Sequence, residues 1–342
     1  MTIQESLPET LGMKPRICAE WEPHSACLMA WPWRVDIWGH LLPAIQRDIE
    51  CLARTIAEYE PVVMLVPMSS ERHPRHGSWP EMVSFLPFEY DDIWVRDTGP
   101  IWLSDGSALM PRFNAWGRKK LGTYPIPHER DATLAERLCV RKGIPTVDLG
   151  LVVEGGAIES DGRGNLVLTR SNMLQARRNG RISENTVEAM FKCKLDANII
   201  WLPGSTSRYD FTDGHVDAIA RYTPDGSLLY DKIEETAACA AGTEYAAVRR
   251  NAGAMKAMGT ALCRPRGHYA RAFETFSYTN FYVAENVVVM PRFKKISPAE
   301  RRIYKIVEKA YGRAVVPVSL PALFSSGGGG VHCVVREVPR WA

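Results

Sequence analysis

Chemistry in this chain points first to Cys333, which follows Ser325-Ser326-Gly327-Gly328-Gly329-Gly330-Val331-His332. Four glycines ahead of a cysteine permit positive φ and close backbone approach to a ligand. No Lys-Ser/Thr pair follows them, so the loop is not a P-loop. A thiolate at neutral pH needs a base or a positive neighbour. His215 offers one, in Thr212-Asp213-Gly214-His215-Val216-Asp217-Ala218-Ile219-Ala220, a stretch closed by the turn Pro224-Asp225-Gly226. Read as the start of a strand, this stretch puts Asp213, His215 and Asp217 on one face. Unpaired charge on a buried face is costly, so such a row calls for a wet face or for a cation against it.

The elements that must position these groups recur along the chain. Residues 93–100 lead into Ile101-Trp102-Leu103, the turn Ser104-Asp105-Gly106-Ser107 and Ala108-Leu109-Met110. Residues 151–158 lead to Ser160-Asp161-Gly162-Arg163-Gly164 and Leu166-Val167-Leu168. The stretch holding His215 leads to Thr223-Pro224-Asp225-Gly226-Ser227 and Leu228-Leu229-Tyr230, and residues 276–283 to Ala284-Glu285-Asn286 and 287–290. Each unit reads as a hairpin. Helical patterns separate them at 132–142, 184–191, 236–258 and 298–311, the last opening on Ser297 with Pro298 at its first position and Glu300 three beyond the cap. Earlier, residues 27–31 read as a strand, 41–59 as an amphipathic helix, 62–66 as a buried strand and 69–78 as a polar loop. His73 and His76 in that loop read as surface residues, with no thiol or acid cluster near them.

The residues ahead of each turn step from Asp97 to Glu154 by 57, to His215 by 61, to Asn280 by 65 and to Cys333 by 53. A period near 60 of hairpin plus helix predicts a radial or stacked array. A ring of such units delivers Asp97, Glu154, His215 with Asp217, and Cys333 to its axis. On this reading His332 points to the opposite side of its strand.

Composition bounds the answer without naming it. The chain has 342 residues, 46% hydrophobic and 24% charged, with a net charge of +3. That is enough to bury a large core, and the charge is too weak and too dispersed to argue for nucleic acid or an anionic membrane. Its 8 cysteines contain no Cys-x-x-Cys pair, which argues against a disulfide framework or a zinc site. The seven other than Cys333 read as buried filler. Residues 1–14 read as a loose leader without the features of a signal peptide, and 15–342 as a single domain. No apolar run is long enough to span a bilayer, so the cytoplasm is the expected compartment.

Carboxylates beside a thiolate raise its pKa and oppose ordinary cysteine-protease chemistry. They make sense if the substrate is a cation, and a guanidinium is a planar fork of donors that carboxylates hold bidentately. The expected chemistry is therefore thiol attack on the central carbon of a guanidinium held by acids. A metallohydrolase on Asp213, His215 and Asp217 stays open as an alternative, though no second histidine completes a ligand set. So does a catalytically silent binding protein.

Trp94-Val95-Arg96-Asp97-Thr98-Gly99-Pro100, Glu154-Gly155-Gly156, Gly214-His215-Val216-Asp217 and Gly328-Gly329-Gly330-Val331-His332-Cys333 resemble the motifs of the agmatine deiminase and bacterial peptidylarginine deiminase family. Glu20-Trp21-Glu22-Pro23-His24-Ser25 and Phe113-Asn114-Ala115-Trp116-Gly117 are similar too, so the resemblance spans nearly the whole chain in order. It implies a five-bladed, pseudo-symmetric α/β propeller of the guanidino-group-modifying (pentein) type, built from ββαβ-like repeats. It also implies roles. Asp97 and Asp217 bind the guanidinium nitrogens, Cys333 attacks, and His215 protonates ammonia and then activates water. Glu154 orients His215 or holds substrate. Trp94 and Trp116 wall the pocket, with Asp213 and Gly330 also touching substrate. Neither metal nor organic cofactor is implied; the partner is a small guanidino compound, and a homo-oligomer is left open. Agmatine, giving N-carbamoylputrescine, is the first substrate expected. The same chemistry on peptidyl-arginine or another guanidino intermediate, or amidino transfer to an amine, stands beside it. The sequence departs from the family pattern at Asp213 and Ala218, where asparagines are usual, at Glu159, where histidine is usual, and at Gly330, where asparagine is usual.

Overall fold

The computed structural model describes residues 14–74, 79–118, 120–121, 124–204, 210–232, 260–263, 277–293, 296 and 298–342. His76, the helix expected at 236–258 and the leader up to residue 13 lie outside these. The chain is α/β. Among the described residues, five sheets of three or four strands and one two-stranded ribbon form.

In chain order the strands are β1 (His24–Ala30), β2 (Val62–Val66), β3 (Val83–Pro87), β4 (Ile101–Trp102), β5 (Ala108–Leu109), β6 (Lys120–Leu121), β7 (Tyr124–Pro125), β8 (Thr146–Val147) and β9 (Glu159–Ser160). There follow β10 (Asn165–Thr169), β11 (Asn198–Leu202), β12 (Ala220–Tyr222), β13 (Leu228–Lys232), β14 (Thr260–Cys263), β15 (Tyr282–Val283), β16 (Val287–Pro291), β17 (Ala314–Val318) and β18 (Arg336–Pro339). One plan repeats. A short antiparallel hairpin (β4–β5, β9–β10, β12–β13, β15–β16) gains a third strand parallel to its second (β8, β11, β14, β17). The fifth sheet uses both ends of the chain: β18 pairs antiparallel with β1, β2 lies parallel to β1, and β3 is added beyond β2. A parallel neighbour requires a crossover. The helices Leu42–Ile56, Leu134–Lys142, Glu184–Lys194 and Pro298–Tyr311 supply it for four sheets.

Local chemistry accounts for these elements. In Leu42–Ile56 the apolar residues Ile45, Ile49, Leu52 and Ile56 fall at helical spacing and are fully buried. Ser183 caps Glu184–Lys194 by accepting from the Thr186 N–H at 3.2 Å. Gly143, at φ 69°, ends Leu134–Lys142, and the next N–H, of Ile144, bonds back to Cys139 O. Three hairpins share one turn device: Asp105, Asp161 and Asp225 each accept the N–H two residues on, at 3.0, 2.7 and 2.9 Å. The glycine that follows each, Gly106, Gly162 and Gly226, takes the positive φ the turn requires.

The stretch around His215 is not a strand start. Residues 216–218 form a helical turn and the strand opens only at Ala220, so Asp213, His215 and Asp217 do not share a face. Equivalent helical turns occur at Val95–Thr98, Gly155–Ala157 and His332–Val334. A single helical turn carries no periodic pattern, which is why the sequence reads as extended there. His73 sits in its loop with its ring against Pro67 O at 2.7 Å. No helix among the described residues is long and apolar enough to cross a membrane.

Candidate active site

The turn before the first strand of each hairpin is where the charged residues come together. Asp97 precedes β4, Glu154 β9, His215 and Asp217 β12, Asn280 β15 and Cys333 β18. Gly156 measures their convergence. A Cβ placed on it would lie 2.6 Å from His215 Nδ1, 2.9 Å from Asp97 Oδ1 and 3.0 Å from Asp217 Oδ2. Three units of the chain therefore meet around one missing methyl group.

His215 Nε2 donates to Glu154 Oε2 at 3.3 Å, and its Nδ1 lies 3.7 Å from Asp97 Oδ1. Burial disfavours the imidazolium, but Asp97, Glu154 and Asp217 outweigh it and push His215 up to about 9. Glu154 is also buried, yet the Arg178 guanidinium and then His215 hold it down at about 2. Arg178 Nε reaches both Glu154 oxygens, at 2.8 and 3.0 Å, and Asn172 Nδ2 adds a third donor at 3.3 Å. The ring is therefore charged at neutral pH, with a permanently ionised acid behind it.

The two aspartates differ in their surroundings. Burial raises the Asp97 carboxyl; His215 opposes the rise, and Glu154 and Asp217 add to it. Its oxygens accept from the Gly156 N–H at 3.0 Å and the Trp116 indole N–H at 2.9 Å. Asp217 is buried too, yet the hydrogen bond and charge of His332, with His215, hold it below the usual range. His332 Nδ1 lies 2.8 Å from Asp217 Oδ2 and its Nε2 2.5 Å from Glu20 Oε2. This corrects the expectation that His332 points away from the site: the turn at His332–Val334 swings it onto Asp217. Glu20 in turn takes Arg96 Nη2 at 2.8 Å, Arg221 Nη2 at 3.0 Å and the Val283 N–H at 2.7 Å. Arg96 continues to Glu337 and Arg221 to Glu159, so a paired, buried ionic network underlies the site.

Trp116 is held in an unusual way. Ala115 and Trp116 both have φ 55° and Gly117 has φ 70°, three successive left-handed residues. For L-residues this costs about 1–2 kcal/mol each. Asn114 Oδ1 pins the turn by accepting from the Gly117 N–H at 2.7 Å, and Phe113 and Phe211 pack edge-on against the indole. The strain aims the indole N–H at Asp97. Trp94 packs edge-on to Trp116, and its ring occupies the space a side chain at Gly329 would need. Trp94 Nε1 and Trp38 Nε1 share the carboxylate of Asp92, at 2.8 and 3.0 Å. Burial raises that acid to about 6 against the pull of its donors.

Cys333 is partly buried. The Gly330 N–H and Asn280 Nδ2 each approach its sulfur at 3.4 Å. Burial, then Asp217 and Asp97, push the thiol up, while Gly330 and Asn280 pull it back. Asn280 lies on the repeat register of the sequence but was not singled out there, because an amide carries no titratable signal. Asp213, with φ 59°, turns instead to Arg118, Arg177 and Arg178, at 3.0, 2.8 and 2.7 Å. Gly330 backs directly onto Asn280. Glu159 and Ala218 make structural contacts: Glu159 accepts from Arg221 and the Tyr222 N–H, and Ala218 O accepts from Ser277. A surface cavity of about 370 Å³ lined by Trp33, Arg34, Asp91 and Arg130, among others, contains none of the site residues.

The chain is similar to known proteins over nearly its whole length. An agmatine deiminase of Ectopseudomonas mendocina is 29% identical, with 99% of each chain covered. An agmatine deiminase of Pseudomonas aeruginosa strain LESB58 is likewise 29% identical over 99% of each chain. The agmatine deiminase structure of Enterococcus faecalis matches at a TM-score of 0.82 and 22% identity, covering 97% of this chain and 99% of that one. The Pseudomonas aeruginosa enzyme DDAH shares the fold more distantly, at a TM-score of 0.53 and 13% identity, over 92% of this chain and 99% of its own. Residues 16–339 match the Porphyromonas-type peptidyl-arginine deiminase family, and the chain belongs to that family of hydrolases acting on the carbon–nitrogen bonds of amidines.

Proposed function

We propose that the chain hydrolyses the guanidinium group of agmatine to N-carbamoylputrescine and ammonia through an amidino-cysteine intermediate. The observation that carries this reading is the meeting of Asp97, Asp217 and His215 around Gly156, with Cys333 raised by the same two acids. The five sheets of three or four strands are read as blades of a propeller, with the turns before β4, β9, β12, β15 and β18 lining its axis. Asp97 and Asp217 hold the guanidinium nitrogens between Trp94 and Trp116, where an aromatic face also favours a cation. The bound cation offsets the two carboxylates, so the Cys333 thiol loses its proton to solvent on substrate binding. The thiolate adds to the central carbon, His215 gives its proton to the departing nitrogen, and ammonia leaves. Neutral His215 then takes a proton from water. The hydroxide adds to the amidino carbon, the carbon–sulfur bond breaks, and the ureido product is released. Glu154 keeps His215 oriented and charged between turnovers.

The pH dependence follows from His215. Its proton is present below about pH 9, so kcat/KM declines above that value. Glu154→Gln removes a negative neighbour and lowers the imidazolium pKa, so the alkaline limb should move toward neutrality. An unmoved limb in a pH–rate profile rejects His215 as the acid.

A second substrate reading has its own observation. The side chains of Arg177 and Arg118 are 45% and 26% exposed beside Trp116, and both lean on Asp213. Cationic groups there favour a guanidine whose far end carries a carboxylate. Ureido detection across agmatine, free arginine, arginyl peptides and guanidino acids tests both. Agmatine should give the highest kcat/KM; a guanidino acid ahead of it selects the second reading, and no ureido product from any rejects the activity.

A further inference from the structure

We infer that Asn280 is a catalytic residue, its side-chain amide stabilising the Cys333 thiolate. This rests on the nucleophilic role proposed for Cys333. The amide is 1% exposed and its orientation is decided by its partners. The His332 backbone N–H, a group that can only donate, lies 3.0 Å from Asn280 Oδ1. The oxygen must face that N–H, which turns Nδ2 toward the sulfur at 3.4 Å. Oδ1 is also 3.6 Å from the same sulfur, within reach of a thiol S–H. One amide thus meets both protonation states: its oxygen accepts from the thiol, and its NH2 donates to the thiolate once the proton has left.

The surroundings hold this arrangement in place. Thr279 Oγ1 donates to Asp217 O at 3.0 Å and Ser277 Oγ to Ala218 O at 2.9 Å, tying the Asn280 turn to the His215 and Asp217 turn. On the other side, a Cβ at Gly330 would lie 2.2 Å from Asn280 Oδ1 and 2.7 Å from its Cγ. Glycine at 330 is therefore the condition for the amide to stand beside the sulfur. It also leaves the Gly330 N–H as the second donor, at 3.4 Å. Donors of this kind matter most where two carboxylates crowd an anion, because a hydrogen bond to a charged acceptor is about twice as strong as a neutral one.

The test reads the thiol without substrate. Iodoacetamide alkylation of Cys333, followed by mass spectrometry of its peptide with Cys333→Ser as blank, reports the thiolate fraction. Asn280→Ala should be alkylated about tenfold more slowly at every pH below the thiol midpoint, and Asn280→Asp at least as slowly. In turnover kcat should fall by about tenfold or more, with KM little changed, because the amide touches sulfur rather than substrate. Gly330→Ala leaves Asn280 in the chain but pushes its amide aside, so it should reproduce the slowing even if Asn280→Ala folds poorly. Folded variants alkylated at the wild-type rate and with the wild-type pH dependence overturn the assignment. Because these rates need no substrate, a wild-type enzyme that releases no ammonia would count against the hydrolysis and leave this result to be judged separately.

Discussion

Cys333→Ser enzyme should release no measurable ammonia from any guanidine, with kcat down by about 10⁴-fold or more while the protein stays folded. A serine hydroxyl is far less acidic than a thiol, and His215 already holds its proton when attack begins, so no alkoxide forms, whereas a thiol needs only the offsetting of two carboxylates. Stability should hold because a serine hydroxyl is close in size to the thiol and can keep the approaches of the Gly330 N–H and the Asn280 amide, both at 3.4 Å from the sulfur. Substrate should still bind, since Asp97 and Asp217 are untouched; calorimetric titration of the variant checks this. Rapidly quenched wild-type enzyme should carry an amidino adduct on the Cys333 peptide, and the variant none. Turnover in the variant at anything near the wild-type rate removes the nucleophile.

Gly156→Ala should also be costly, although it replaces no ionisable group. Gly156 does not adopt a left-handed conformation, so alanine meets no backbone penalty there. The penalty is purely one of space, because the new methyl would sit 2.6 Å from His215 Nδ1 and within 3.0 Å of both aspartates. Something must move, and the groups in its way are His215, Asp97 and Asp217, the proposed proton carrier and guanidinium ligands. Displacements near 1 Å in such a constellation cost about 10²-fold in rate. We expect kcat/KM to fall by at least about that factor, with a shift of the melting temperature too small to explain it. A Gly156→Ala enzyme with wild-type kcat/KM would show that the three side chains do not act around one point. In the sequence Gly156 is one residue of a motif; its reason, the space shared by three side chains, exists only in the folded chain.

Much of the framework is legible from the residues alone. The spacing of Asp97, Glu154, His215, Asn280 and Cys333 announces a repeated unit, and the Asp-Gly turns at 105–106, 161–162 and 225–226 mark the hairpins. Strand Val62–Val66 and helix Pro298–Tyr311 fall where the pattern puts them. These features are local: alternation, helical spacing and turn chemistry are written within a few residues. The folded chain decides the rest. Whether His332 faces Asp217, whether the Asn280 amide reaches a sulfur 53 residues away, and whether Asp213 is taken up by three arginines depend on turns from different units being packed against one another. Single helical turns such as 216–218 and 332–334 are too short to leave a period in the sequence, so the direction of each side chain they carry is set by tertiary contacts.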